Sequence, residues 1–203
     1  MDVLWEIPAA MLALGYLLGS IPFGLLLTKF GGAGDIRAIG SGNIGATNVL
    51  RTGRKGLAIA TLLLDMAKGA VAVLIAAMVS PSDMPLAGAA ALIGHLYPIW
   101  LHFRGGKGVA TLMGVAVALD WRIGLVYAAV WIGILFLARI SSLGGLLAAA
   151  SVPVAALLFD RPELFPLGLA LALLVIWRHR DNIGRLLKGT EPRIGAGKNT
   201  DPA

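Results

Sequence analysis

Residues 7–28 contain no charged side chain, and further apolar runs follow at 56–79, 86–101, 109–119, 123–137, 143–158 and 164–177. A soluble core does not accommodate so many apolar stretches, but a bilayer does, since a helix that crosses its hydrocarbon needs about 20 apolar residues. The chain is 58% hydrophobic and 14% charged, against roughly 45–50% and about 25% in soluble domains. These features predict an all-α, polytopic membrane protein with seven short transmembrane helices. Disorder is excluded, because so much apolar surface has to be hidden from water. At 203 residues the spans leave room only for tight loops, so a single integral-membrane domain over 1–203 is expected. The first run lacks the basic flank of a cleaved signal and is longer than its apolar segment. With no cysteine, disulfides, thiolate zinc sites and a cysteine nucleophile are all excluded.

The net charge of +6 invites a nucleic-acid reading until the charges are sorted by loop. One alternating set of loops holds Lys29, Arg37, Arg51, Arg54, Lys55, Arg104, Lys107, Arg139, Arg178, Arg180, Arg185, Lys188, Arg193 and Lys198, which is 14 of the 17 basic residues. The opposite loops hold only Arg122 and Arg161, beside Asp2, Glu6, Asp83, Asp120, Asp160 and Glu163. By the positive-inside rule the basic loops face the cytoplasm, the N-terminus lies outside and the C-terminus is cytoplasmic. Dropping one span reverses the side of every later loop and scatters the charges. Most of the basic charge thus serves topology and attraction to anionic lipid headgroups, and no nucleic-acid partner is expected.

Topology does not require glycine, serine and asparagine beside those charges, yet three cytoplasmic segments carry them. Residues 40–51 read GSGNIGATNVLR. Gly40, Gly42 and Gly45 fit G-x-G-x-x-G formally, but that spacing marks a dinucleotide site only inside a βαβ unit, and here membrane spans flank it. The small residues let backbone N–H groups approach an anion. Ser41, Asn43, Thr47 and Asn48 add side-chain hydrogen bonds and Arg51 a bidentate fork, which makes a phosphate nest. A solvated turn with capping Ser and Asn is the alternative. In residues 94–111, GHLYPIWLHFRGGKGVAT, the spacing is not that of a Walker A loop. Gly105, Gly106 and Gly108 around Lys107, just before a helix, still present N–H donors and a positive helix end to an anion, unless they form only a flexible turn. His95, in an apolar run, is read as a structural hydrogen-bonding residue.

The third segment, 178–192, reads RHRDNIGRLLKGTEP. If helix continues from the last span, His179 and Asn182 share a face as i and i+3, with Arg185 one step further. The arginines and Lys188 also suit a basic helix lying on headgroups. Within the second span, Asp65 and Lys68 stand three apart and either pair with each other or line a cavity. Ser141 and Ser142 lie within reach of the same pocket or cap the next helix.

Together the three segments resemble the cytoplasmic motifs of the bacterial acyl-phosphate-dependent glycerol-3-phosphate acyltransferases. The likeness extends to Gly19-Ser20-Ile21-Pro22-Phe23-Gly24 and Asp35-Ile36-Arg37. It implies transfer of a fatty acyl group from acyl phosphate to the 1-hydroxyl of glycerol 3-phosphate, giving lysophosphatidic acid and inorganic phosphate at the cytoplasmic membrane, as the first acylation of phospholipid synthesis. It further implies that Ser41, Arg51, Lys107, His179 and Asn182 are catalytic, and that the glycines around Lys107 bind glycerol phosphate. Gly42, Asn43, Gly45, Thr47, Asn48, Ser142 and Arg185 complete the substrate-binding set, and Glu191 matches a structural glutamate. Gly184 departs from the family pattern, where a larger or charged residue is usual.

The residues fit this chemistry on their own terms. Acyl phosphate is a mixed anhydride with a good leaving group, so the enzyme has to align a hydroxyl with the carbonyl and stabilise departing phosphate, a task that suits Lys107 and Arg51. No H-x-x-x-x-D pair is present, since Trp100, Lys107 and Gly184 stand five residues after the three histidines. Direct attack is expected, with a substrate phosphate or His179 taking the proton. Neither a metal nor another cofactor is expected, and the protein is expected to be a monomer among membrane lipids. A transporter for a phosphorylated small molecule is the rival reading. It calls for polar residues on both faces of the membrane, and the outward loops are short.

Overall fold

Pro22 breaks the first apolar run, which the sequence reading treats as one span. In the computed structural model, which describes residues 5–195, α1 covers Glu6–Ser20 and α2 covers Phe23–Phe30. Proline has no N–H and disfavours helical geometry in the residue before it, so Ile21 turns extended at φ −64° and ψ 116°. The Ile21 carbonyl accepts a hydrogen bond from Lys68 Nζ at 2.8 Å.

Every other predicted span is also helical. After the short α3, Ala46–Leu50, come α4 Lys55–Val79, α5 Met84–Leu96, α6 Val109–Leu119, α7 Trp121–Ala138, α8 Ser141–Leu158, α9 Phe165–Arg178 and α10 Arg180–Leu187. No strand occurs among the described residues. Five stretches are long and apolar enough to cross a membrane: Glu6–Phe30, Lys55–Val79, Pro81–Leu101, Trp121–Ala138 and Ser141–Leu158. The α9 and α10 region makes a sixth if its 64° bend is taken as a broken span. The helix at the remaining predicted span, α6, has 11 residues and is about 16 Å long at 1.5 Å per residue, short of the roughly 30 Å of hydrocarbon. Asp2 and Lys198, counted among the loop charges, lie outside the described residues.

Glycine sets how closely these helices pack. Gly15 and Gly19 of α1 lie against the Ala87 and Ala91 carbonyls of α5, and Gly94 of α5 lies against the backbone of Tyr16 and Ser20. Gly69 of α4 meets the Thr111 carbonyl of α6, while Gly114 of α6 meets the Met66 carbonyl. A Cβ at any of these positions collides with backbone. Close approach matters because apolar side chains gain little by leaving lipid for protein, so van der Waals packing and buried polar pairs hold the bundle. Leu92, Leu112, Val115, Tyr127 and Val175 fill its centre, while Met78 at 86%, Phe136 at 81% and Leu137 at 86% exposure face outward.

The face opposite the three motifs is short in backbone but not devoid of charge. Asp120 caps α7 through the Arg122 N–H at 3.0 Å and pairs with the guanidinium groups of Arg122 at 2.7 Å and Arg161 at 2.9 Å. Glu163 meets Arg161 at 2.5 Å. Two acids and two arginines thus neutralise one another and tie the turn before α7 to the turn before α9.

Candidate active site

The chain bends between α9 and α10 at His179, where the sequence reading lets the helix continue. His179 is buried at 2% exposure, and its Nδ1 lies 2.8 Å from the Val175 carbonyl. A carbonyl only accepts, so Nδ1 carries the hydrogen and Nε2 keeps its lone pair. Nε2 faces Gly145 of α8. One turn on, Asn182 is buried at 4% exposure and accepts from Lys107 Nζ through Oδ1. Its Nδ2 donates to Glu191 Oε1 at 2.5 Å.

Glu191 reaches this place because Gly189, at φ +69°, turns the chain back over α10; a residue with a side chain rarely adopts that conformation. The Glu191 carboxylate also accepts from Ser142 Oγ at 2.6 Å and from Arg185 Nε at 2.7 Å. Ser142 from the first turn of α8, and Asn182 and Arg185 from α10, therefore converge on one carboxylate, and Lys107 from the loop before α6 joins them through Asn182. Burial pushes the Glu191 carboxyl up, but the hydrogen bonds from Ser142, Asn182 and Arg185 outweigh it and hold the group below its ordinary range. Burial acts on Lys107 in the other sense, bringing its ammonium down to about 8, with Arg185 and Arg178 adding to the fall and Glu191 and Asp181 opposing it.

Replacing Glu191 with glutamine keeps the volume and removes the charge that faces Arg185. Thermal unfolding in detergent is expected to show a stability loss of about 1.5–3 kcal/mol, the range for hydrogen bonds to charged groups. Because the folded carboxyl is held below its unfolded value, this contribution is full above the ordinary carboxylate range and declines as pH falls through the depressed value. The glutamine variant is expected to lose that acid-side dependence.

The glycine-rich loop corrects one expectation. Gly105 N–H donates to the Leu96 carbonyl at 3.1 Å and Gly106 N–H to the His95 carbonyl at 3.0 Å. Two of the three glycine donors expected to face an anion, those of Gly105 and Gly106, are therefore taken by the chain itself. Their carbonyls point the other way, toward Arg178: Nη2 donates to Gly105 at 3.0 Å and Nε to Gly106 at 3.2 Å. In the sequence Arg178 suits either a headgroup-facing helix or the site, and nothing there points to these two carbonyls as its partners. Gly106 also sits where a Cβ meets the His95 ring. Under the loop, Asp65 pairs with Lys68 at 2.7 Å and lies 3.7 Å from His95 Nδ1.

The first motif is likewise folded onto itself. Asn48 is buried at 2% exposure and donates to the Ile36 carbonyl at 2.8 Å and the Ile39 carbonyl at 3.1 Å. Its Oδ1 accepts from Ser41 N–H at 3.3 Å. Gly42 N–H goes to the Ile39 carbonyl at 3.0 Å and Gly45 N–H to Asn43 Oδ1 at 3.0 Å. The nest expected from these residues is thus occupied by its own backbone and amides, and Asn43 and Asn48 act here as loop builders. Ser41 and Arg51 are exposed, and the Arg51 guanidinium lies beside Gly40 and Asn48 Oδ1. The hydrogen bonds among the described residues do not join either to the Glu191 cluster. The link between motifs runs instead through Thr47 Oγ1 and Ser141 Oγ, 2.9 Å apart, next to Ser142. Among the described residues no group of three or more His, Asp or Glu side chains is placed to hold a metal ion.

Residues 9–189 match the family described as glycerol-3-phosphate acyltransferase. Curated proteins of that name are similar along nearly their whole length. The one from Mesorhizobium japonicum is 56% identical over 185 residues, covering 91% of this chain and 95% of that protein. The one from Caulobacter vibrioides is 57% identical over 194 residues, covering 93% and 88%. Among solved structures, the chain is similar to PlsY, an integral membrane glycerol 3-phosphate acyltransferase. Its glycerol 3-phosphate form superposes with a TM-score of 0.88 at 38% identity, covering 93% of this chain and 96% of that one. Its lysophosphatidic acid form gives 0.85 at 37% identity, covering 93% and 95%.

Proposed function

The chain belongs to the glycerol-3-phosphate acyltransferase family, and from that membership we propose that it moves a fatty acyl group from acyl phosphate to the 1-hydroxyl of glycerol 3-phosphate. The products are lysophosphatidic acid and inorganic phosphate. The observation that carries this reading is the network in which Asn182 and Arg185 meet Glu191 and Lys107 reaches it through Asn182. These groups form a cationic, half-buried site at one end of an apolar helix bundle, suited to a phosphate whose acyl chain lies in lipid.

In the proposed reaction the glycerol hydroxyl oxygen attacks the acyl carbonyl carbon, and the bond from that carbon to the phosphate oxygen breaks. The hydroxyl proton passes to a substrate phosphate or to Nε2 of His179, the ring nitrogen with the free lone pair. Lys107 and Arg51 neutralise the phosphates, and Arg185 reinforces the field from α10. Asn182 orients the Lys107 ammonium, Ser41 donates to substrate, and Gly108 lets the chain enter α6 at φ +84°. The proposed topology has seven spans with the N-terminus outside, α6 being the short one, and places the site on the cytoplasmic side of a bacterial inner membrane.

The decisive assay supplies purified protein with a synthetic acyl phosphate and labelled glycerol 3-phosphate, without added metal or nucleotide. Lysophosphatidic acid and inorganic phosphate are expected in equal amounts. Product from acyl-coenzyme A or acyl carrier protein but none from acyl phosphate overturns the donor assignment. Glycerol phosphate binding without product from any of these donors overturns the acyl-transfer reading.

A further inference from the structure

We propose that Arg178 is a positioning residue for Lys107, gripping the two peptide units that precede it so that the ammonium is delivered to Asn182. The inference rests on the acyltransferase reading of the site. The Arg178 guanidinium donates to two successive carbonyls, Gly105 at 3.0 Å and Gly106 at 3.2 Å. The second of these carbonyls belongs to the peptide bond that enters Lys107, so its orientation fixes the plane from which the lysine side chain departs. A rigid planar fork matches two neighbouring acceptors, as a lysine ammonium does not.

The surroundings hold the fork in turn. Its Cζ lies 5.2 Å from the centre of the Tyr97 ring, and the Tyr97 carbonyl accepts from Tyr16 of α1 at 2.8 Å. Arg178 is also the last residue of α9, where the negative helix end favours a cation. On its far side the loop has no slack. The Gly105 and Gly106 N–H groups are fixed to Leu96 and His95, and Gly106 rests on the His95 ring. The loop is thus held between a buried imidazole beneath and a guanidinium above. Arg180, only two residues on, goes elsewhere: it is exposed and lies 5.4 Å from the ring of Trp177.

The test compares Arg178→Ala and Arg178→Lys with the parent protein in detergent. It measures kcat and KM for glycerol 3-phosphate, thermal stability, and the rate at which a succinimidyl ester labels Lys107, read by mass spectrometry of that peptide. The alanine variant is expected to raise KM about ten-fold, equivalent to about 1.4 kcal/mol, and to label at Lys107 several times faster. The lysine variant is expected to recover less than half of the lost kcat/KM, because it keeps the charge and loses the fork. Added guanidinium ion is expected to restore part of the alanine variant's activity. Lower stability with KM and Lys107 labelling unchanged overturns the proposal, as does full activity of the lysine variant. If Arg178→Ala fails to fold, the Arg178→Lys comparison decides by itself. If the parent protein turns over no acyl phosphate, the donor reading fails, and the Lys107 labelling rates still decide the positioning role.

Discussion

Replacing Lys107 with methionine is expected to lower kcat/KM by about 10²–10³-fold, the loss seen when one preorganised charge-stabilising donor is removed from an active site. Methionine keeps much of the side-chain length and its apolar stem, so the change isolates the ammonium. That ammonium is half-buried and bonded to Asn182, and burial brings its pKa down to about 8. The group is charged below that value and neutral above it, so its attraction for phosphate is full at neutral pH and fades as pH rises through about 8. The alkaline fall belongs in kcat/KM, which reports the free enzyme, because a bound phosphate favours the protonated lysine and moves the transition upward in kcat. Lys107→Arg retains charge throughout this range and is expected to flatten the alkaline limb even if misplacement lowers the plateau. Steady-state kinetics over neutral to alkaline pH, with thermal unfolding as a control for folding, decide the matter. An unchanged alkaline limb in the arginine variant removes Lys107 from its proposed role.

Replacing Asp65 with alanine is expected to cost about 3–5 kcal/mol of stability, the range for deleting one partner of a buried ion pair. Asp65 and Lys68 are 3% and 5% exposed. Without the carboxylate, the Lys68 ammonium remains at membrane depth with the Ile21 carbonyl at 2.8 Å and the face of Phe23 at 5.8 Å as its company. The damage reaches both the break between α1 and α2, which Lys68 secures, and the floor of the Lys107 loop, where His95 faces Asp65. Thermal unfolding in detergent is the measurement. The double variant Asp65→Ala with Lys68→Met is expected to recover part of the loss, since it removes the stranded charge as well. A double variant as unstable as the sum of its single changes contradicts the ion-pair account.

The parts of this fold that are legible in the sequence are those set by local geometry or by solvent. The apolar runs become helices because a membrane interior leaves a backbone no other way to satisfy its hydrogen bonds within the segment. Asp65 and Lys68 meet because residues three apart on a helix are neighbours. What the sequence does not disclose depends on where the chain returns. The spacing of Gly105 and Gly106 shows that the backbone can come close to something. It does not show that this is the His95 and Leu96 backbone rather than a phosphate. Asn43 and Asn48 are ambiguous in the same way, because an amide that caps its own loop reads like one aimed at a ligand. Arg178 and Arg180 are indistinguishable by composition, and only the α9 bend sends one to the loop and the other to Trp177. The break at Pro22 has a signal in the chain, the proline itself, but the run around it is apolar enough to pass for one span.

The carboxylate of Glu191 also sets an order of manufacture. Synthesis releases the first motif, then the Lys107 loop, then α10, and only afterwards the turn at Gly189 that brings Glu191 back. Every earlier element can be in the membrane while Ser142, Asn182 and Arg185 still lack their common acceptor. A polypeptide interrupted before Glu191 therefore carries all the cationic groups of the site without the anion that arrays them. In such a shortened chain Ser142, Asn182 and Arg185 are left to find other acceptors, so the turn made last is the one that completes the hydrogen bonding of the cluster.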